Sequence, residues 1–209
     1  MALRLVGSSQ FRSFRNLWML EELGVAYEHV PAKPHSKEAA VNPGFPKKVP
    51  TLIDGDLAMF ESAAINTYLG DKFRGTPGSS DLVPIPGTPS RGVYEQWVHC
   101  AASELDAQGL WIHRKHEALK GVLAPAAPVA VETAKAHVSR VVGVFSDRLK
   151  GRDFLVDDGF SAADIVFVHC VTWGESIGWS DAWADDETLQ AYLVRCRSRP
   201  AYLRAKALP

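Results

Sequence analysis

The chain has 209 residues and a net charge of −1 at pH 7, with 23 basic and 24 acidic side chains. That length can bury a good core as one or two domains. The basic residues are scattered, so the sequence predicts no nucleic-acid partner and no polybasic membrane contact. No apolar stretch reaches the roughly 18 residues of a membrane-spanning helix. The first residues also do not form the apolar core of a signal peptide.

The cysteines predict a reducing environment. Cys100, Cys170 and Cys196 are an odd, widely spaced set without a CxxC pair. That usage is typical of the cytosol and provides no disulfide framework, so we expect a cytoplasmic protein. It also provides no zinc site, and we expect no bound metal.

The N-terminal third predicts alternating strands and helices. Alternation over 3–7 indicates a first strand, and apolar residues at helical spacing then indicate a helix that ends at Gly24. A second strand is predicted over 25–30, and 36–42 is either a short helix or an irregular segment. A hairpin and a helix follow, which gives the order β-α-β-α-β-β-α.

The segment 48–71 is the most informative part of the chain. Pro50 precedes the apolar run at 51–53, so it belongs at the start, the edge or a bulge of a strand. Asp54-Gly55 lies between two apolar runs and indicates a tight hairpin. Glu61-Ser62 then opens a segment with apolar residues at helical spacing. A strand, a turn, a strand and a helix thus form one compact unit.

This unit offers polar groups to a small peptide. If the Val49–Pro50 bond is cis, the backbone groups of Val49 are free to pair with an extended peptide. The helix that begins near Ser62 presents unpaired N–H groups and the positive end of its dipole, which suit a carboxylate. Glu61 beside it could pair with an ammonium group. Together these features predict a binding site for a small peptide.

Val49-Pro50 followed by Glu61-Ser62-x-x-Ile65 resembles the glutathione-binding signature of cytosolic glutathione transferases. The likeness is to bacterial, serine-type members. It implies a cis proline, and pairing of the preceding residue with the cysteinyl part of glutathione. It also implies that Glu61 and Ser62 hold the γ-glutamyl amino and carboxylate groups, and that Lys48 lies near the glycyl carboxylate. A thioredoxin-like domain and a homodimer, with the Glu61 helix and the long helix near the interface, are further implications.

The second half of the chain predicts helices only. Residues 75–89 are rich in glycine and proline and indicate a linker. One long helix is predicted over 91–120, and a second carries apolar residues from Val131 to Leu149. With the family resemblance, this predicts an α/β thioredoxin-like domain followed by an all-α domain. The predicted division is a glutathione-binding domain at 1–75, a linker at 76–89 and a helical domain with the hydrophobic substrate site at 90–209.

Ser161 and Asp164 have the form of a capping box, in which the acid reaches back toward the serine N–H. The box opens a buried helix, and the helical domain of the transferase family carries a similar one. We expect it to be a folding element without a part in the chemistry. Two more helices are predicted, over 188–197 and from Arg199-Pro200 onward.

The resemblance also defines what the catalytic group must do. A free thiol has a pKa of about 8.5, and lowering it by about two units takes about 2.7 kcal/mol, within reach of one hydroxyl and a helix N-terminus. Aligning 14–24 with bacterial and fungal relatives places Phe11, in the glutathione site, where their serine is expected. Phenylalanine cannot donate a hydrogen bond. Ser9, the first choice, or Ser13 could supply the hydroxyl, Arg12 could act by charge, or no group does so.

The second substrate is expected to be a small apolar electrophile, bound where the helical domain faces the hairpin. Aromatic and histidine side chains of the long helix are the candidates to line its site: Tyr94, Trp97, Trp111, His113 and His116. For Tyr94 and Trp97 a place in the core is an equally good interpretation. The two histidines are three residues apart, but we find no third ligand for a metal.

The sequence and the resemblance therefore predict a transferase that conjugates the thiolate of glutathione to an electrophile, with a role in detoxification. A non-catalytic glutathione-binding or scaffold protein is one alternative, which Phe11 favours. A glutathione-dependent isomerase, dehalogenase or reductase is another. These share the fold and the glutathione site, so fold analogy cannot choose among them. The loop after the first strand, residues 8–13, has no cysteine, which argues against the reductase.

Overall fold

The computed structural model describes residues 3–76, 80–157 and 159–209. Its contacts divide the chain into two compact units. Unit 1 comprises Met1–Ile85 and Cys196–Pro209, and unit 2 comprises Pro86–Arg195. The domain division predicted from the sequence stays a prediction, and residues 77–79 of its linker lie outside the described residues.

Unit 1 is built on a four-stranded sheet with the order β2-β1-β3-β4. Its strands are β1 (Arg4–Val6), β2 (Glu28–Val30), β3 (Thr51–Asp54) and β4 (Leu57–Met59). β1 pairs parallel with β2 and antiparallel with β3, and β3 pairs antiparallel with β4. The predicted hairpin is confirmed, with Gly55 at a φ of 62° in its turn. β2 is shorter than predicted.

Three helices of unit 1 are α1 (Phe14–Leu23), α2 (Ser62–Lys72) and α8 (Pro200–Ala207). α1 ends as predicted at Gly24, which adopts a left-handed φ of 64° and donates its N–H to the Leu20 carbonyl. The segment predicted as a short helix or irregular contains a 3₁₀ turn, Glu38–Val41. The predicted thioredoxin-like order of elements is confirmed.

α8 packs on α1 through aromatic rings. The ring of Tyr202 meets Trp18 edge to face, with 4.8 Å between the ring centroids. The same ring meets Phe14 at 5.4 Å. Trp18 is fully buried, and Tyr202 is only 6% exposed. Burial of aromatic surface of this size is a main source of stability in a small unit. The last helix is therefore an integral part of unit 1.

Ion pairs add to the contact between α1 and α8. Arg199 donates two hydrogen bonds to the carboxylate of Glu22, at 2.6 and 2.8 Å, and the Trp18 indole N–H donates to the same group. The Glu22 side chain is only 6% exposed. Arg204 pairs with Glu21 at 2.7 Å, but the Arg204 side chain is 54% exposed. Arg199 is 28% exposed and Glu21 is 20% exposed, so the Arg199–Glu22 pair is the more buried of the two.

Unit 2 is helical. α3 (Pro89–Cys100) continues into a π-helix (Ala101–Leu110), α4 (Trp111–His113) and a second π-helix (Arg114–Ala118). The helix predicted over 91–120 is thus continuous, but much of it has the wider i→i+5 winding. α5 (Pro128–Leu149), α6 (Ala162–Ser176), a 3₁₀ turn (Ser180–Ala182) and α7 (Glu187–Arg197) follow. Within the described ranges, no helix has the length and apolar character to cross a bilayer.

The predicted capping box at the start of α6 is confirmed. The fully buried carboxylate of Asp164 accepts bonds from the Ser161 N–H and hydroxyl, both at 2.9 Å. It also accepts from the Leu155 N–H at 3.0 Å and the Tyr192 hydroxyl at 2.9 Å. Burial raises the pKa of Asp164, and these donors oppose that shift. The box therefore ties α6 to the preceding loop and to α7, as a folding element.

Replacing Arg199 tests the contact between α1 and α8. Arg199→Ala leaves a buried carboxylate without its cation, so we expect the free energy of unfolding to fall by about 2–4 kcal/mol. The control, Arg204→Ala, removes an exposed partner and should cost about 0–1 kcal/mol. Urea unfolding followed by circular dichroism measures both. Equal losses in the two variants would contradict the assignment of the Arg199–Glu22 pair as the more buried and stronger contact.

Candidate functional site

The segment before β3 exposes unused backbone groups. The Val49–Pro50 bond is cis, as predicted, and Val49 is half-buried. Among the described residues, neither the N–H nor the carbonyl of Val49 has a hydrogen-bond partner. A buried or half-buried backbone group without a partner is uncommon in folded proteins. These two groups are therefore available to a ligand that lies beside the strand.

The first turn of α2 has the features of an anion-binding site. No side chain of the described residues caps this turn, so its first N–H groups are open. Arg15, which is 2% exposed, donates from Nη1 to the Ser62 hydroxyl oxygen at 3.1 Å. Because the Ser62 oxygen accepts this bond, its own proton remains available to a ligand. A buried cation, a hydroxyl and a helix N-terminus together favour a carboxylate.

Two asparagines hold this turn against α1. Asn16 Nδ2 donates to the Ser62 carbonyl at 2.8 Å and to Asn66 Oδ1 at 2.7 Å. Asn66 Nδ2 donates in turn to the Arg15 carbonyl at 3.3 Å. Both asparagines are fully buried, so the network has little freedom to rearrange. It fixes Ser62 and Arg15 relative to each other.

Arg15, Asn16 and Asn66 also contact this turn, and none of them is among the residues predicted from the sequence. The sequence of α1 nevertheless indicates that two of these residues are unusual. Arg15 and Asn16 are two polar residues at the start of a helix that is otherwise apolar over its first turns, and both are buried in the structure. Buried polar side chains need partners, so such a pair indicates a polar contact with a neighbouring element.

Glu61 has a strained backbone immediately before α2. Its φ is 69° and its ψ is 104°, a conformation that residues with a Cβ rarely adopt. Its side chain is exposed and makes no hydrogen bond or ion pair with the described residues. Strain of this kind costs about 1–3 kcal/mol and is often found at functional sites. This exposed carboxylate belongs to the residue directly before the open first turn of α2.

Lys48 lies one residue before Val49. It is exposed, and its Nζ lies 4.4 Å from the centroid of the Phe45 ring. Its carbonyl accepts a bond from Asn42 Nδ2 at 3.4 Å. The ammonium group therefore remains accessible to a ligand near the start of β3.

The loop between β1 and α1 holds the candidate catalytic residues. Ser9 Oγ donates to the Leu208 carbonyl at 2.6 Å, so its only hydroxyl proton is engaged. Ser13 is fully buried, and its Oγ has no hydrogen-bond partner among the described residues. It packs against Gly7, where a Cβ would lie 2.0 Å from Ser13 Oγ. Phe11 and Arg12 are half-buried. Gln10 of this loop is exposed, and Arg12 is its cationic side chain.

The candidates for the apolar substrate lie in unit 2. Tyr94 is fully buried and Trp97 is 8% exposed, with its ring 4.7 Å from that of Phe145. Both therefore occupy the core of this unit. Trp111 is half-buried. The role of these residues in binding a substrate stays a prediction.

The two histidines of the same helix have separate surroundings. The His113 ring meets Trp179 edge to face at 5.3 Å, and burial lowers the pKa of His113. Its Nδ1 has no partner among the described residues. His116 Nδ1 lies 2.8 Å from the Pro125 carbonyl, so this nitrogen carries the proton. Within the described ranges, no group of three potential metal ligands is close enough to hold an ion.

Comparisons with known proteins agree with the two units. Residues 1–71 match the glutathione S-transferase N-terminal domain, and residues 114–200 match the glutathione S-transferase C-terminal domain. Glutathione S-transferase 1 of Triticum aestivum is 27% identical over 203 residues, which cover 91% of this chain and 86% of that protein.

Solved structures show the same fold. Glutathione transferase F7 from Populus trichocarpa has a TM-score of 0.82 at 20% identity and covers 97% of both chains. Glutathione transferase URE2P6 from Phanerochaete chrysosporium, solved in complex with oxidized glutathione, has a TM-score of 0.79 at 25% identity. That match covers 98% of this chain and 94% of the other. The predicted combination of a thioredoxin-like domain and an all-helical domain is confirmed.

The backbone strain at Glu61 can be measured by two substitutions. Glu61→Gly and Glu61→Ala both remove the carboxylate, but only glycine relieves the positive φ. We expect the glycine variant to be the more stable one by about 1 kcal/mol in urea unfolding.

The exposed helical position Ala64 provides the control. Ala64→Gly should lower stability by about 1 kcal/mol, because glycine is unfavourable at an ordinary helical φ. A Glu61→Gly variant no more stable than Glu61→Ala would show that residue 61 is not strained.

Proposed function

Because the chain belongs to the glutathione S-transferase family, we propose that it binds glutathione in unit 1 and transfers the thiolate of this tripeptide to a small apolar electrophile. One observation carries the proposal. Ser62 lies at an open helix N-terminus with the buried guanidinium of Arg15 on its hydroxyl oxygen. That arrangement suits the γ-glutamyl carboxylate. The Phanerochaete relative was solved with oxidized glutathione, which supports glutathione as the ligand.

The other charged groups of the site suit the rest of the tripeptide. The exposed carboxylate of Glu61, next to the first turn of α2, pairs with the γ-glutamyl ammonium group. The unpaired N–H and carbonyl of Val49 bond the backbone of the cysteinyl residue. The exposed Lys48 attracts the glycyl carboxylate. Each end of the ligand thereby meets a group of opposite charge, and its middle pairs with backbone.

In this proposal, Arg12 stabilises the thiolate. Phe11 cannot donate, the Ser9 proton is engaged by the Leu208 carbonyl, and Ser13 is fully buried. A cation within about 4–6 Å of a thiol favours the charged form and lowers its pKa by about 1–3 units. In the transfer step, a sulfur lone pair forms the new bond to the electrophilic carbon. The leaving group of the electrophile departs with the electron pair of the bond that breaks.

A second candidate function is glutathione binding without thiol activation. Phe11 at the position of the family's serine favours it, together with the engaged Ser9 hydroxyl. The two candidates differ in one property of the bound ligand. A transferase holds glutathione partly as the thiolate near pH 7, which absorbs in the ultraviolet, whereas a binding protein leaves the thiol protonated.

We also propose a homodimer in the cytoplasm, which acts in detoxification. The family resemblance supports the dimer and the physiological role. The three cysteines, free of disulfides in the structure, support a reducing compartment. Light scattering at micromolar concentration should give about 46 kDa, twice the 22.9 kDa of the chain. A particle of the mass of one chain would refute the dimer.

Calorimetric titration with glutathione tests the binding site. Ser62→Ala removes a donor to the carboxylate and should weaken affinity about tenfold, the effect of about 1.4 kcal/mol. Glu61→Gln removes the partner of the ammonium group and should weaken it by about threefold to tenfold.

Two control variants accompany this titration. Ser146→Ala changes a buried serine of α5, and Glu28→Gln changes an exposed acid of β2. Neither should alter affinity. The absence of measurable heat at millimolar glutathione, or an equal loss in the controls, would rule out this binding site.

The role of Arg12 is tested by the pH dependence of conjugation with a chloro-nitro aromatic. Loss of the cation raises the pKa of the bound thiol. With glutathione at saturation, Arg12→Gln should therefore move the rise in kcat/KM for the chloro-nitro aromatic about one pH unit higher. Activity near pH 7 should fall about tenfold. Arg12→Lys keeps the charge, so its pH profile should lie between that of the unaltered protein and that of Arg12→Gln.

Arg4→Gln, at a half-buried arginine of β1, is the control and should not shift the profile. An unchanged profile in Arg12→Gln would exclude Arg12 as the stabilising group. No thiolate absorbance for glutathione bound to the unaltered protein would favour the binding-only function.

A further inference from the structure

The loop that precedes α1 is fixed at its start to residues distant in sequence. Ser9 Oγ donates to the Leu208 carbonyl at 2.6 Å, and the Ser9 N–H donates to the Pro209 carbonyl at 3.0 Å. The N–H of Ser8 donates to the Ala32 carbonyl at 2.9 Å. Ser9 therefore uses both of its donors to hold residues 208–209.

Residues 208–209 are held in turn by α8. Arg199 and Arg204 bond α8 to the C-terminal half of α1, and the Leu208 N–H donates to the Ala205 carbonyl at 3.3 Å. The same helix α1 begins where the loop ends. The carbonyls of residues 208–209 therefore follow α8 directly. Because α8 is bonded to α1, these carbonyls hold Ser9 relative to the helix that follows its loop.

The contact at Ser9 is close to Arg12 along the chain. The Phe11 N–H donates to the Ser8 carbonyl at 3.2 Å, and the Arg15 N–H donates to the Arg12 carbonyl at 3.1 Å. Two tight turns therefore lead from Ser9 to the first turn of α1. Because these two hydrogen bonds restrict the segment, we expect a displacement of Ser9 to move Phe11 and Arg12 as well.

We propose that Ser9 and the carbonyls of Leu208 and Pro209 form a clamp that positions the 8–13 loop, and Arg12 with it, against the thiol of bound glutathione. This inference rests on the proposed function. Ser9 is a positioning residue in it, because its proton is used on the Leu208 carbonyl. Misplacement of a reacting group by about 1 Å can cost about a hundredfold in rate, so a single loop contact can matter for catalysis.

A double-mutant comparison tests the clamp. It uses the unaltered protein, Ser9→Ala, a chain shortened to end at Ala207, and the combination of the two changes. Ser9→Thr keeps a hydroxyl at this position. Ser176→Ala is the control, because Ser176 also donates its hydroxyl to a backbone carbonyl, that of Trp173, at 2.7 Å. Conjugation kinetics across pH and circular dichroism are measured for each protein.

We expect Ser9→Ala and the shortened chain each to lower kcat about fivefold to twentyfold, with KM for glutathione within about twofold. The rise in kcat/KM should move to higher pH in both. The combination should be no worse than the shortened chain alone, since the hydroxyl has then already lost its acceptor. Ser9→Thr should retain most of the activity, and Ser176→Ala all of it.

Three results would overturn the clamp. A further loss from Ser9→Ala in the shortened chain would mean that the Ser9 hydroxyl acts on the sulfur itself. A higher kcat in the shortened chain would mean that residues 208–209 restrain a catalytic serine. Unchanged kcat and an unchanged pH profile in every variant would mean that the contact has no part in catalysis.

Amide hydrogen exchange separates the clamp from the proposed function. If the unaltered protein neither binds nor conjugates glutathione, the proposed function fails. The clamp still predicts faster exchange at residues 8–12 in Ser9→Ala and in the shortened chain than in Ser176→Ala. Equal exchange in all three proteins would exclude the clamp whatever the activity.

Discussion

The polar network between α1 and α2 is the constraint on which the site depends. Asn16 joins the Ser62 carbonyl to Asn66, and Arg15 reaches the Ser62 hydroxyl, all in buried surroundings. A buried guanidinium carries a large desolvation cost, which its polar partners offset in part and which a bound carboxylate would offset further. The network keeps the first turn of α2 open and beside a positive charge. Glu61, with its strained backbone, directly precedes that turn.

Local patterns in the sequence predict several elements of the fold. The alternation before Gly7, the Asp54-Gly55 turn and the Ser161–Asp164 box each depend on residues within a few positions of one another, and each is confirmed. The cis bond before Pro50 and the two-part fold came from the family resemblance, which combines several such patterns in a fixed order. Short-range physical chemistry and family likeness together therefore account for the architecture.

The contacts that were missed join residues far apart in the chain. Arg15 and Ser62 are 47 positions apart, and Ser9 and Leu208 are 199 apart, so no local pattern relates them. From the sequence, its place in a loop favours Ser9 as the catalytic hydroxyl. A hydroxyl proton engaged by a distant carbonyl can be recognised only in three dimensions. The π-helical winding after Cys100 was likewise missed, because its apolar spacing resembles that of an α-helix.

The central claim is that the start of α2 and the backbone of Val49 receive glutathione. Titrating the ¹⁵N-labelled protein with glutathione and following its backbone amide resonances tests this claim most directly. We expect the largest shifts at Val49 and at the first turn of α2, residues 62–64, with saturation at millimolar ligand. Shifts confined to unit 2, or none at that concentration, would contradict the account.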